Sequence, residues 1–147
     1  MGGEPYYYFV PYEPDINQAI QKLRMREFHA GRYNPVLHFL DFPIGPSSPA
    51  PGKKHASIRE ALEASEADGT RSILDIERVG AKADFGVATS LSPERLVELY
   101  ETEKPTRAMV EESMDFFEEI ERGHGIYFIL YESGRPSEIF FAGYSYD

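Results

Sequence analysis

The feature that most constrains the fold is a run of five strand-forming residues near the start of the chain, Tyr6 to Val10. Aromatic and β-branched side chains favour strands, and successive side chains of a strand point to opposite faces of the sheet. Because no polar residue interrupts the run, we expect a strand that is covered on both faces. Ten Phe and ten Tyr, within a composition that is 41% hydrophobic, can supply those two covering layers.

Capping signals and apolar spacing predict four helices. Asp15 with Gln18 and Ser57 with Glu60 each form a capping box, and Ser92 before a proline is typical of a helix start. The predicted helices span about residues 16–29, 57–68, 92–103 and 106–122. Aromatic and β-branched segments predict further strands at about 72–79, 85–89, 126–131 and 139–144, and a short one at 36–40. A helix is the alternative at 72–79, because Ile73, Ile76 and Val79 also fit a period near three.

The order of these elements predicts an α+β fold. We expect a mainly antiparallel sheet with about four helices packed on one side of it and a C-terminal β-hairpin. The length predicts one domain over residues 1–147. A Pro-rich loop at 43–54 interrupts the pattern, because four prolines and two glycines suit neither a helix interior nor a central strand. The residues before it are too few to form a core of their own.

The charge balance restricts the partners. The chain has 25 Asp and Glu against 15 Lys and Arg, a net charge of −10. Phosphate backbones and anionic lipid surfaces repel such a chain, so we expect neither broad nucleic-acid binding nor membrane binding. The negative charge either keeps the chain soluble or forms a surface that binds a basic protein partner. No cysteine, signal-peptide pattern or long apolar segment is present, and we expect a cytoplasmic protein.

A basic stretch in this acidic chain supplies the candidate ligand-binding residues. Between positions 22 and 33 four Lys or Arg residues and one His accompany a single acid. The candidates are Arg26, Glu27, His29, Arg32 and Tyr33. One interpretation is an anion site that grips a carboxylate or a phosphate. The other, which we favour, is pairing of the cations with the acidic face of the fourth helix, within the chain or between chains.

Glu27 is unusual within this stretch. On a continuous helix it lines up with Ile16, Ile20 and Leu23, the stripe that faces the core. A carboxylate there must be paired, with Arg24 or an arginine from elsewhere, or it must have a raised pKa. The favoured expectation is simpler. The helix ends early and Glu27 reaches water.

No motif identifies a reaction, a cofactor or a metal. The acidic residues of the fourth helix lack a helical Glu-x-x-His pair and are typical of a solvated face. The four histidines have no helical ligand spacing. We therefore predict no cofactor and no metal, and the sequence leaves open both the oligomeric state and whether the chain is an enzyme.

These observations favour a non-catalytic protein-binding or regulatory module that engages a basic partner through its acidic surface. The alternative hypothesis is a small enzyme or anion-ligand binder that uses the basic stretch around Glu27, His29, Arg32 and Tyr33.

Overall fold

The computed structural model describes residues 5–33, 42–68 and 72–145. Helices and a five-stranded sheet are both present, as the α+β prediction requires. The strands are β1 (Pro5–Pro11), β2 (Arg78–Val79), β3 (Val87–Ser90), β4 (Gly125–Glu132) and β5 (Arg135–Tyr144). The helices are α1 (Ile16–Ala30), α2 (Ile58–Asp68), α3 (Pro93–Tyr100) and α4 (Arg107–Glu112), with short 3-10 helices at Ile73–Asp75 and Asp115–Glu119.

The two longest strand contacts are antiparallel. The strand order is β1-β5-β4-β3-β2, so β5 lies between β1 and β4. Phe140 of β5 faces Phe9 on one side and Phe128 on the other, with 5.1 Å between its ring centroid and each of theirs. The predicted hairpin is confirmed in part. β4 and β5 pair antiparallel, but they extend to Glu132 and Arg135, so the turn between them has two residues and is shorter than predicted.

The prediction of a mainly antiparallel sheet is wrong, because the sheet is mixed. β2 pairs parallel with β3, and β3 pairs parallel with β4. Parallel neighbours require a connection that returns the chain to the same end of the sheet. Between β3 and β4 that connection contains α3, α4 and the second 3-10 helix.

Both faces of the sheet are covered. This confirms the prediction that the first strand is covered on both faces, and the prediction that the helices pack on one side only is wrong. Tyr6, Tyr8 and Val10 pack in one core with α1. Phe9 packs in the other core with α3, α4 and the second 3-10 helix. The helix α2 belongs to neither layer, since its Ala61 packs against the end of α1.

Two predicted elements differ in type. The strand at 72–79 is a 3-10 turn followed by a two-residue strand, because the Ser72 side chain accepts a hydrogen bond from the Leu74 N–H at 3.1 Å and closes a turn there. The fourth helix is broken after Glu112, where Ser113 is extended. The Tyr100 hydroxyl donates to the Ser113 carbonyl at 3.1 Å and so satisfies an acceptor at the break. The predicted strand at 36–40 lies outside the described residues.

Candidate functional site

Glu27 is completely buried on α1 and is paired with two arginines. Arg32 forms a bidentate contact, in which Nε donates to Oε1 at 2.9 Å and Nη2 donates to Oε2 at 2.7 Å. Arg26 Nε donates to Oε2 at 2.8 Å. The expectation that Glu27 reaches water is wrong, because α1 continues to Ala30 and keeps the carboxylate on the core side. Three charge-assisted hydrogen bonds replace the lost hydration.

The end of α1 explains how Arg32 reaches a residue of the preceding turn. Gly31 adopts the left-handed conformation with φ 76°, which is typical of a helix C-terminus. The Arg32 backbone N–H then donates to the Glu27 carbonyl at 3.0 Å. The chain therefore folds back, and the Arg32 side chain lies against the carboxylate of Glu27.

The same arginines hold the Pro-rich loop. Arg32 Nη1 donates to the Ser48 carbonyl at 3.0 Å, and Arg26 Nη2 donates to the Ile44 carbonyl at 3.2 Å. The Gly52 N–H donates to the carbonyl of Ala30 at 2.8 Å. The loop is thus attached at two points to the last turns of α1 and at a third to Arg32, just beyond the helix end.

Tyr33 makes a fourth attachment. Its hydroxyl lies 2.8 Å from Nδ1 of His55 and accepts a hydrogen bond from the Lys54 N–H at 3.1 Å. Its ring stacks on Phe28, with 5.9 Å between the ring centroids.

The electrostatics of the cluster keep Arg32 charged. Its hydrogen bonds to Glu27 raise the pKa of the Arg32 guanidinium, and this effect exceeds the opposing effect of burial. Nearby, burial raises the pKa of the Tyr8 phenol well above its usual range, and the negative charge of Glu27 adds to the increase. Tyr8 is therefore neutral and accepts a hydrogen bond from the Ile73 N–H at 3.2 Å.

The structure brings together three of the five candidates. Arg26, Glu27 and Arg32 form one ion-pair cluster, and Tyr33 lies beyond it under the loop. His29 is exposed and contacts the ring of Phe28 instead, with 5.4 Å between the ring centroids. Pairing of the basic stretch with the fourth helix of the same chain is wrong, because α1 and α4 cover opposite faces of the sheet. Ligand binding by the five candidates stays a prediction.

Arg26 also lines a groove that the sequence did not reveal. The groove has a volume of about 350 Å³ and runs between α1 and the end of β1. Its lining residues are Val10, Pro11, Glu13, Ala19, Lys22, Leu23 and Arg26. The α1 members recur at helical spacing, which the sequence shows, but their position opposite β1 depends on the tertiary fold.

A second feature lies on the opposite face of the sheet. Segment 91–121 contains ten Asp and Glu against three Lys and Arg, a net charge of −7 out of the −10 of the whole chain. We call its exposed helical carboxylates the acidic face: Glu94, Glu98, Glu111, Glu112, Asp115 and Glu118. By contrast, segment 13–33, which contains α1, has three acidic and four basic residues.

Within the described ranges, no group of three His, Asp or Glu side chains could hold a metal ion, and no helix is both long and apolar enough to cross a membrane. Comparisons with protein-family models, curated proteins and solved structures give no match.

Proposed function

We propose that the chain is a non-catalytic protein-binding or regulatory module that engages a basic protein partner through the acidic face. The observation that supports this most directly is the segregation of charge. The segment with a net charge of −7 packs on one face of the sheet through Leu96, Val110 and Phe116. Concentrated charge of one sign accelerates encounter with an oppositely charged partner and orients it.

The cations of this segment have partners within the chain. Arg95 Nη1 pairs with Glu98 at 2.8 Å, and Arg107 Nη1 pairs with Glu138 at 3.1 Å. The Lys104 ammonium lies 5.6 Å from the centre of the Tyr131 ring. Because the cations are already engaged, the excess carboxylates are left for a partner.

The helices of the acidic face also have exposed apolar side chains. Val97 of α3 is 45% exposed and Met109 of α4 is 38% exposed. Charged pairs at the rim of an interface set the rate and orientation of binding, whereas buried apolar side chains contribute most of the affinity. A partner that places Lys or Arg residues around an apolar side chain would match both features.

The test compares two variants with the same change of charge. In the first, Glu94, Glu98, Glu112 and Glu118 become Gln. In the control, Glu63, Glu77 and Glu132 become Gln and Asp84 becomes Asn, all at exposed positions outside the acidic face. Each immobilised protein is exposed to cell lysate at low and at moderate salt, and the retained proteins are identified by mass spectrometry.

We expect the wild type and the control to retain the same basic proteins, and the acidic-face variant to lose them. Retention should weaken as salt rises, because the screening length falls to about 8 Å at 0.15 M ionic strength. Retention of nothing at either salt, or equal losses in both variants, would contradict the proposal.

A further inference from the structure

The groove between α1 and β1 combines an apolar floor with a charged rim. Val10, Ala19 and Leu23 are buried members of the core on this side of the sheet and form the floor. Lys22 and Arg26, one helical turn apart, stand at the rim. The volume of about 350 Å³ is at the lower end of the roughly 300–1,000 Å³ that is typical of ligand pockets. A ligand of this groove is therefore small.

Arg26 is held in place before any ligand arrives. Its Nε donates to Glu27 and its Nη2 donates to the Ile44 carbonyl, while its side chain remains 25% exposed. In the described part of the chain, Nη1 has no hydrogen-bond partner, so its two N–H groups are left to donate. A cation that is already immobilised loses little conformational entropy when it binds an anion.

The charges around the groove favour a single negative charge on the ligand. Glu27 is balanced by the bidentate contact with Arg32. Lys22 Nζ lies 3.2 Å from Glu13 Oε1, so these two charges offset each other. The charge of Arg26 remains, so the groove has one uncompensated positive charge, which matches one negative charge on the ligand.

We infer that this groove binds a small monocarboxylate with a hydrocarbon body. Arg26 Nη1 donates to the carboxylate, and the body packs against Val10, Ala19 and Leu23. The site lies on the α1 side of the sheet, away from the acidic face, so it is independent of the proposed partner binding.

The first experiment titrates the ¹⁵N-labelled full chain with octanoate and follows the amide signals by NMR. We expect saturable shifts at Val10, Ala19, Leu23 and neighbouring amides. Octanamide, which has the same body without the charge, and inorganic phosphate, which has charge without the body, should each bind at least about tenfold more weakly. An absence of saturable shifts, or equal binding of octanamide, would overturn the inference.

Variants assign the interaction to the groove. Arg26→Gln should weaken octanoate binding about tenfold or more, because it removes a charge-assisted hydrogen bond. Glu13→Gln, which leaves the cluster around Glu27 intact, should strengthen it severalfold because the charge of Lys22 is then no longer offset by a carboxylate. Arg59→Gln, on α2 with an 88% exposed side chain, is the control and should change nothing. Unchanged binding in both groove variants, or shifts confined to α3 and α4, would overturn the inference.

Discussion

At the scale of single residues, the Glu27 carboxylate is the most demanding group in the chain. It is removed from water completely, and Arg32 is nearly so, with a side chain that is 2% exposed. The attraction within a buried pair repays the cost of desolvation only when both partners are present. Removal of one partner leaves the other as an uncompensated buried charge.

We therefore expect Glu27→Gln to lower the free energy of unfolding by about 3–5 kcal/mol. The matched control is Glu13→Gln, whose partner Lys22 has a 64% exposed side chain; its cost should be at most about 1 kcal/mol. Urea denaturation of both variants measures the difference. The double change Glu27→Gln with Arg32→Gln should cost less than the sum of the two single changes. Similar small losses in Glu27→Gln and Glu13→Gln would contradict this assignment.

The sequence predicted part of this cluster and not the rest. The alignment of Glu27 with Ile16, Ile20 and Leu23 indicated the core side of a helix, with an arginine from elsewhere as one possible partner. The favoured prediction, that the helix ends early and Glu27 reaches water, was nevertheless wrong. Arg32 could not be identified as that partner, because it lies beyond Gly31 and helical spacing does not extend past the helix end. Its return depends on a backbone conformation and on a loop that is distant in sequence.

At the scale of elements, the contact between α1 and the Pro-rich loop depends on Gly31. A Cβ atom at this position would overlap the carbonyl of Gly52, and φ 76° is strained for any other residue. The loop approaches the helix end closely because this position has no side chain. The Gly52 N–H can then reach the Ala30 carbonyl.

We expect Gly31→Ala to detach this part of the loop and to destabilise the fold by at least about 1–2 kcal/mol, the cost of the left-handed conformation alone. Hydrogen exchange at the Gly52 amide should accelerate. Gly45→Ala is the control in the same loop, because a Cβ there meets nothing within 4 Å. Unchanged exchange at Gly52 in Gly31→Ala, with stability equal to that of Gly45→Ala, would contradict the prediction.

Local signals predicted where elements begin better than where they end. The predicted caps Asp15, Ser57 and Ser92 all accept the hydrogen bonds that start their helices. The break after α4 was not predicted, because the apolar residues of 106–122 fit a continuous helix. Tertiary packing decides there: Phe116 is buried, and its ring centroid lies 5.3 Å from that of Phe140.

At the scale of the whole molecule, the sequence predicted the total charge but neither the sheet topology nor the distribution of that charge. Strand direction depends on the connections, and two of the four strand contacts, β2 with β3 and β3 with β4, are parallel. The charge total follows from the sequence alone. Its concentration on the layer of α3 and α4 becomes visible only when the structure assigns each helix to a face of the sheet.

Two buried phenols on the α1 side of the sheet make the fold sensitive to alkali. Burial raises the pKa of Tyr6 well above the usual value of 10.0, and Asp75 and Tyr8 add to the increase. The pKa of Tyr8 is raised as well, mainly by burial. A raised pKa in the folded state means that the associated stability is complete below pH 10 and is lost as the pH rises above it, because only the unfolded chain then releases the proton.

We expect the free energy of unfolding to fall above pH 10 by about 1.4 kcal/mol per pH unit for each of these two phenols. Tyr6→Phe isolates one of them at little other cost, since the Tyr6 hydroxyl has no hydrogen-bond partner in the described part of the chain. The Tyr6→Phe variant should unfold at a higher pH than the wild type, and its free energy of unfolding should fall less steeply as the pH rises. Urea denaturation at a series of alkaline pH values measures the slope, and tyrosinate absorbance shows whether the buried phenols ionise only as the chain unfolds. An identical slope in Tyr6→Phe and the wild type would show that ionisation of Tyr6 is not linked to unfolding.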